Sequence, residues 1–485
     1  MALITVYMTA AFITTVAGAA YSKSLFEMRQ VDRELARIRS FAAAEAAVQD
    51  ALRQIANNGA TAYTGYIDTS ARSVSNFSQV DGTSVGSYSY TLSYPNQADW
   101  VTISATAVVD GETRNVEARV FLDSNLSKYL VYANSTNFNS GTDAQYGEPD
   151  YTDAYGDGVP DYPEFVPSTE AERASLYFTG TWTTSGTNVE VYGDVNAQTQ
   201  ISGNTTSEVH GDAYVGAFAT NGSGSVTNSG VTGSLVIGDG FSDDLDRNNS
   251  GSVTSADYPD YHDLTSVGGG DSHKTETLDS IDNTFYKAKN SIPSYGGSTS
   301  QNRFLKFVSS GGGASTQVVE YTNSTFTTVA STTNLANNAI VYVNGNIYAK
   351  GEIGGRVSVV SSNSIYFDGN TTYSGGQTTA DTTHSAAFMA KNKLFFRANT
   401  LSVSGILYSE NSSNASADMD SDYDTNGNYN PSTKQQLRLS GNRIINGSTN
   451  LGNYPDRVYG YDKNLKYYRP PGIPVYPALR TVREK

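Results

Sequence analysis

The sequence predicts an α+β fold, because it combines a long N-terminal helical pattern, a small antiparallel meander and a mainly-β remainder. The helical pattern contains no Pro, the meander alternates apolar and polar residues, and the remainder consists of short β runs separated by Gly and Asn. The expected divisions are a long helix over 1–56, a β-meander over 57–124, an acidic Gly- and Pro-rich connector over 125–174, a β-rich ectodomain over 175–460 with an insertion at about 240–338, and a Pro-rich tail over 461–485.

Composition restricts the possible partners and chemistry. The 485 residues include no Cys, which excludes disulfides and zinc–thiolate sites. The formal net charge is −16. No nucleic acid is therefore expected as a partner, because affinity for nucleic acids comes mainly from Lys and Arg on phosphates. An acidic surface instead suits divalent cations and keeps crowded chains soluble.

The first 20 residues carry no charge. A helix of about 20 apolar residues is long enough to cross the hydrocarbon core of a bilayer, so a membrane anchor is expected here. A secretory signal peptide begins with a basic region, whereas this apolar run begins at residue 1 without one. We therefore expect the numbering to start at a mature, processed N-terminus.

The helical pattern continues beyond the uncharged run. Apolar residues recur at gaps of three and four, at Met28, Val31, Leu35, Ile38, Phe41, Ala44, Val48, Leu52 and Ile55. Asn57-Asn58-Gly59 supplies a C-terminal stop. The pattern predicts one helix of roughly 55 residues and about 80 Å. Such a helix needs a partner along its apolar stripe.

Three β runs follow the helix, over 87–94, 100–109 and 114–122, with Gly111 in a turn. Together with the stretch FAAAEAAVQDAL at 41–52, this order resembles the PilX-type branch of type IV pilin-like proteins over about residues 1–124. The resemblance implies a subunit that lies in the cytoplasmic membrane before assembly and is handled by a prepilin peptidase and the pilus assembly machinery. It also implies a homopolymer formed through N-terminal helices.

One position departs from the family pattern. Pilins usually carry Glu at the fifth mature position, where this chain has Thr5. Some minor subunits at the filament tip also lack that Glu, so Thr5 leaves open whether this is a main or a minor subunit. A single-pass membrane anchor without any polymer is a further alternative.

The region from 175 onward contains runs of three to five residues at irregular intervals. This pattern predicts a parallel β-helix, in which each coil stacks on the one before. The stretches 342–348 and 355–360 also resemble the β-helical ectodomains of some PilX-like proteins. A β-sandwich remains the alternative.

Residues 283–290 are expected to form a short helix. The Pro-rich tail should be extended and poorly able to join a central strand. It is expected either to lie on a neighbouring subunit or to be loose.

Three acidic loops fit parts of the 12-residue calcium-loop pattern, with oxygen ligands at several of the required positions and Gly at the sixth. The first resembles the calcium repeats of thrombospondin- and dockerin-type modules. Tyr155 and Thr433 depart from the pattern. Solvated turns are the alternative, because Asp, Asn and Gly form turns in any case. The predicted Ca²⁺ ligands are Asp153, Asp157, Asp161 and Glu164; Asp246, Asn248, Ser250 and Asp257; and Asp422, Asp424, Asn426 and Asn430.

No enzymatic activity is expected. The four His residues form no metal-binding motif, and neither a phosphate-binding loop nor a G-x-S-x-G motif occurs.

The predicted function is that of a structural subunit of a type IV pilus-like filament on the cell surface, displaying a calcium-stabilised β-rich surface. The alternatives are a minor or tip pilin that primes assembly or acts as an adhesin, and a membrane-anchored carbohydrate-binding or carbohydrate-degrading β-helix protein.

Overall fold

The computed structural model describes a large part of the chain. The described residues are 2–56, 62–78, 84–94, 100–138, 143–147, 175–184, 189–197, 200–202, 207–209, 213–215, 218–219, 230–231, 235–237, 261–263, 278, 280–397, 400–410, 419–420, 437–450 and 456–484. The chain divides into two compact units. The helix–sheet unit comprises Met1–Ala62, Ile67–Asp123 and Tyr476–Lys485, and the stacked-strand unit comprises Tyr63–Tyr66 and Ser124–Val475.

The helix–sheet unit consists of one long helix and an antiparallel sheet. The helix is α1 (Ala2–Ile55). The strands are β1 (Ala62–Tyr63), β2 (Arg72–Ser78), β3 (Ser84–Ser93), β4 (Trp100–Val109), β5 (Glu112–Asp123) and β36 (Pro474–Glu484). Strands β36, β5, β4, β3 and β2 are neighbours in that order, and each pair is antiparallel. The predicted long helix and meander are therefore confirmed.

The second half of α1 packs on this sheet. Its buried face is rich in alanine, with Ala43, Ala44 and Ala47 almost fully buried. The facing strand β4 alternates buried and partly exposed residues along its length. Alanine side chains are short, so the helix axis can approach the sheet closely. Ala also has the highest intrinsic helix propensity, so the same residues favour the helix and its packing.

The C-terminal segment is a strand of this sheet. Tyr476 lies opposite Asp123, and the pairing with β5 continues to Glu484. The tail expected over 461–485 is extended, but the expectation that it is loose or lies on a neighbouring subunit is wrong for residues 476–484, which pair with β5. Pro474 and Pro477 lie in the first four residues of β36, near the beginning of the strand, where prolines are tolerated. The residues after Pro477 all carry a backbone N–H and can therefore donate to a neighbouring strand. The chain thus leaves the sheet after β5 and re-enters it at β36.

The stacked-strand unit contains mostly short strands. The first group is β6 (Val131–Ala133), β7 (Ser135–Phe138), β8 (Asp143–Gly147), β9 (Leu176–Phe178), β10 (Thr181–Thr184), β11 (Val189–Val191), β12 (Val195–Ala197), β13 (Gln200–Ser202), β14 (Ser207–Val209), β15 (Ala213–Val215), β16 (Phe218–Ala219), β17 (Gly230–Val231), β18 (Leu235–Ile237) and β19 (Tyr261–Asp263). The helix α2 (Asn283–Ala288) follows, inside the short helix expected at 283–290.

A second group of strands follows α2. It comprises β20 (Arg303–Ser310), β21 (Ser315–Tyr321), β22 (Val329–Asn334), β23 (Ala339–Val343), β24 (Ile347–Ile353), β25 (Arg356–Ser361), β26 (Ile365–Tyr373), β27 (Ser385–Ala390), β28 (Leu394–Phe396), β29 (Ser402–Ser404), β30 (Ile406–Ser409), β31 (Met419–Asp420), β32 (Leu437–Ser440), β33 (Arg443–Ile445), β34 (Ser448–Asn450) and β35 (Asp456–Gly460). In the described part of the chain, 3-10 turns lie at Asn125–Ser127, Pro293–Gly296, Gly311–Gly313, Ser374–Gly376 and Lys463–Lys466.

Consecutive strands form repeating sets, such as β6–β8, and we call each set a coil. Equivalent strands of successive coils pair in parallel and in register. Strands β6, β7 and β8 pair with β9, β10 and β11, which pair in turn with β12, β13 and β14. One row of aligned residues runs Val131, Leu176, Val195, Ala213 and Leu235. The side chains of Val131, Leu176 and Val195 in this row are fully buried. These parallel pairings differ from the antiparallel pairings of the β-sandwich alternative.

The stacking order of the coils differs from their order along the chain. Strands β33, β34 and β35 pair in parallel with β6, β7 and β8. The last coil therefore stacks on the first, and the coils over 339–460 extend from one side of it while those over 176–263 extend from the other. Strand β20 continues the stack beside β24, and β21 and β22 add to it as antiparallel strands.

Arg443 breaks the aliphatic interior at this junction. Its register neighbours are Leu407 and Val131, and its side chain is 2% exposed. Its guanidinium has no hydrogen-bond partner in the described part of the chain. Its Cζ lies 4.6 Å from the centre of the Tyr459 ring, a cation–π contact. By contrast, Arg397 pairs with Asp368 at 2.9 Å, and both side chains are buried.

These two arginines should respond oppositely to the same substitution. Arg443→Met removes an uncompensated buried charge at similar volume and should raise the free energy of unfolding by about 1–3 kcal/mol. Arg397→Met leaves Asp368 buried without the Arg397 guanidinium and should lower the free energy of unfolding by about 3–5 kcal/mol. Urea denaturation followed by circular dichroism measures both. A loss of stability in Arg443→Met would show that the buried guanidinium has a compensating partner.

Candidate assembly interface

The first part of α1 exposes large apolar side chains. Tyr7 is 74% exposed, Phe12 70% and Phe26 63%. The other exposed large apolar residues of α1 are Val6, Met8, Ile13, Val16, Tyr21, Leu25, Met28, Val31, Leu35 and Ile38. We call residues 6–35 the exposed half of α1. Exposed apolar surface on this scale is unusual for a soluble monomer and marks an interaction site.

The apolar residues surround the helix and do not form a single stripe. Val6, Tyr7 and Met8 are consecutive, and consecutive residues of an α-helix point about 100° apart. A helix that is apolar on all sides is normally buried in a larger apolar environment. Within the described part of the chain, no helix combines the length and apolarity needed to cross a membrane. The expected transmembrane anchor is therefore not supported.

Two hydroxyl groups of this segment are satisfied inside the helix. The hydroxyls of Thr14 and Thr15 donate to the carbonyl oxygens of Ala10 and Ala11, each at 2.8 Å. No charged residue occurs before Lys23. Threonine hydroxyls bonded in this way do not need water. Thr14 and Thr15 can therefore be buried among other helices at little cost in lost hydrogen bonds.

Charged residues begin in the following turns of the helix. Lys23 lies 3.8 Å from Glu27, and Arg37 lies 3.7 Å from Glu34. These pairs are exposed, and exposed pairs contribute little to stability. Arg39 contacts Asp110 at 3.5 Å. Asp110 occupies the β4–β5 turn with Gly111, and both have positive φ, as a tight hairpin turn requires.

The end of α1 is clamped to the sheet by a buried amide. The Gln54 Nε2 donates to the carbonyl oxygens of Asp68 and Ser70, each at 2.9 Å. The Tyr90 hydroxyl donates to Gln54 Oε1 at 2.8 Å. Burial, followed by the nearby Asp50 carboxylate, raises the pKa of Tyr90 to about 12. The sheet thus holds one end of α1 rigidly and leaves the other end available.

The structure does not test the predicted calcium ligands. Asp153, Asp157, Asp161, Glu164, Asp246, Asn248, Ser250, Asp257, Asp422, Asp424, Asn426 and Asn430 all lie outside the described residues. Among the residues that the structure does describe, no three or more His, Asp or Glu side chains are grouped so that they could hold a metal ion. Calcium binding therefore stays a prediction.

Comparison with known proteins leaves the family of the chain open. No protein-family model matches the chain. No curated protein matches it either. Among solved structures, the chain is similar to the competence-associated pilin ComZ from Thermus thermophilus, with 12% identity and a TM-score of 0.25. That match covers 93% of this chain and 97% of the other. A likeness this distant does not define a family.

The clamp on α1 should make stability fall at alkaline pH. The folded pKa of Tyr90, about 12, lies above the ordinary value of about 10. The contribution of the neutral Tyr90 hydroxyl to the stability of the fold is therefore complete below pH about 10 and is lost as the pH rises towards 12. The thermal midpoint of the wild type should fall more steeply over this range than that of Tyr90→Phe. Tyr21→Phe, on the exposed half of α1, is the control and should follow the wild type.

Proposed function

We propose that this protein is a structural subunit of a type IV pilus-like extracellular filament and that it polymerises through the exposed half of α1. The observation that carries the proposal is the part of this helix over residues 6–22, which is uncharged, apolar on all sides and continuous with the half of α1 that packs on the sheet. Such a segment has no apolar partner within its own unit. A bundle of identical segments supplies one.

Burial of this segment gives a large driving force for assembly. Full burial of one large apolar side chain contributes about 1.5–3 kcal/mol. Several such residues on each copy outweigh the entropy lost on association, which is estimated at about 4–15 kcal/mol. Because the segment is apolar on every side, it can contact several neighbours at once. A helical homopolymer meets that requirement, whereas a closed pair of helices leaves the outer sides in water.

We further propose that the stacked-strand unit is a parallel β-helix displayed on the filament surface. Parallel pairing in register between equivalent strands of successive coils supports this. A β-helix gives a large surface without disulfides, which the sequence lacks. A membrane stage before assembly, a prepilin peptidase and an assembly machinery follow from the sequence resemblance alone.

A minor or tip subunit is the second candidate. Thr5 favours it, because the Glu that pilins usually carry there is missing. The size of the stacked-strand unit, which occupies most of the chain, also favours it. Counting this protein in purified filaments by quantitative mass spectrometry separates the two candidates. A main subunit dominates the filament, and a tip subunit is present in very few copies.

A single charge in the exposed half of α1 should prevent polymerisation. In Phe12→Asp, assembly has to bury a carboxylate among apolar helices, which costs several kcal/mol per subunit. The full-length chain in detergent should form filaments on detergent removal, and Phe12→Asp should not, as judged by sedimentation and electron microscopy. Val329→Asp, an exposed residue of the stacked-strand unit, is the control and should assemble normally. Unimpaired filaments of Phe12→Asp would exclude this interface.

Calcium is proposed to rigidify the three acidic loops. Removal of calcium with EDTA should lower the thermal midpoint, and calcium at about 1 mM, the range of extracellular calcium modules, should restore it. Asp157→Asn weakens the first loop and should require more calcium for the same effect. Magnesium is the control, because its octahedral preference fits such loops poorly. Identical midpoints with EDTA and with calcium would rule out stabilising sites.

A further inference from the structure

Four aromatic rings form a row on the stacked-strand unit. Phe304, Tyr348, Tyr366 and Phe395 occupy aligned positions on β20, β24, β26 and β28. Their ring centres are 4.7, 4.6 and 4.5 Å apart. The residues next to them in sequence, such as Ile347 and Ala349, are fully buried, so the aromatic row lies on the outer side of the strands.

A row of charged residues lies beside the aromatic row, two positions further along the same strands. It consists of Lys306, Lys350, Asp368 and Arg397. Arg397 is paired with Asp368, so neither charge is available. Lys306 and Lys350 are register partners on adjacent parallel strands. This arrangement places the two lysines side by side, close enough for the charge of Lys306 to act on Lys350.

The two lysines are only partly compensated. Neither forms a salt bridge with a carboxylate in the described part of the chain, although acidic residues outnumber basic ones by 48 to 32. Like charges on adjacent strands destabilise a sheet. Burial lowers the pKa of Lys350, and Lys306 and Arg397 lower it further, while Asp368 opposes them. An anionic group that bridged the two ammonium groups would remove this cost.

A strained turn places another aromatic ring at this position. Phe326, in the turn between β21 and β22, has φ of +54°, which is rare for a bulky residue and usually reflects a functional or packing constraint. Its ring contacts Phe304 edge to face, and the Lys350 ammonium lies 3.7 Å from its centre. Phe326 is partly exposed. An aromatic surface thus lies directly beside the lysine pair.

We propose that this cation–aromatic strip, formed by Lys306, Lys350, Phe326 and Tyr348, binds an acidic polysaccharide. A carboxylate of a uronic acid would bridge Lys306 and Lys350 through charge-assisted hydrogen bonds. The apolar C–H side of a sugar ring would contact Phe326, and sugar hydroxyls would bond the Tyr348 hydroxyl. Two lysines on a chain of net charge −16 suit a polymer with separated carboxylates better than the dense phosphates of a nucleic acid. The inference does not depend on polymerisation through α1.

The test is binding of the full-length chain, in detergent, to immobilised polygalacturonate. The wild type should bind it, should bind neutral dextran far more weakly, and should lose binding as salt rises. The double variant Lys306→Gln/Lys350→Gln should bind at least about tenfold more weakly, because two charge-assisted hydrogen bonds are lost. Lys287→Gln/Lys391→Gln removes the same charge from exposed positions elsewhere on the unit and should bind as the wild type does.

Two further measurements keep the result interpretable. Lys306 is exposed and repels Lys350, so Lys306→Gln alone should not lower the thermal midpoint and should still weaken binding. Equal binding by the wild type and the lysine double variant would overturn the proposal, as would equal binding to dextran. Stronger binding to single-stranded DNA, with displacement of polygalacturonate, would overturn it in favour of a nucleic-acid ligand.

Discussion

Close packing between the alanine-rich half of α1 and the antiparallel sheet is the interaction on which the helix–sheet unit depends. Ala44, Ala47 and Ala51 are completely buried there, and Gln54 fixes the end of the helix through three hydrogen bonds. Because this contact uses only the second half of the helix, the first half is left exposed. The division of α1 into a packed half and an exposed half therefore follows from where its contact with the sheet ends.

The stacked-strand unit depends on a different constraint, the in-register pairing of parallel strands. Each coil contributes aligned apolar residues to a shared interior, so a coil gains stability only from its neighbours. The junction between β33 and β6 joins coils that are far apart in sequence. Arg443 lies at that junction, where a charge interrupts the aliphatic row. The place where the two halves of the stack meet thus has a buried charge in line with aliphatic residues.

Local patterns allowed the sequence to predict the main elements. Alternation of apolar and polar residues predicted a strand over 100–109, and β4 spans Trp100–Val109. The helical pattern and the Asn-Asn-Gly stop predicted a helix ending near 56, and α1 ends at Ile55. The strand β36 was missed because its partner β5 is more than 350 residues away along the chain, and nothing local to residues 474–484 records that pairing. The stacking of β33–β35 on β6–β8 was missed for the same reason.

The site was predicted less completely than the fold. Its apolar character is visible in residues 6–22, but the Tyr90–Gln54 clamp and the Lys306–Lys350 pair depend on distances that only the folded chain shows.

Helical cryo-electron microscopy of filaments sheared from the cell surface tests the central claim, polymerisation through the exposed half of α1, most directly. The account predicts filaments built from this chain, with residues 6–35 of neighbouring copies bundled along the axis. Filaments in which this segment faces solvent, or sheared filaments that lack this chain, would contradict it.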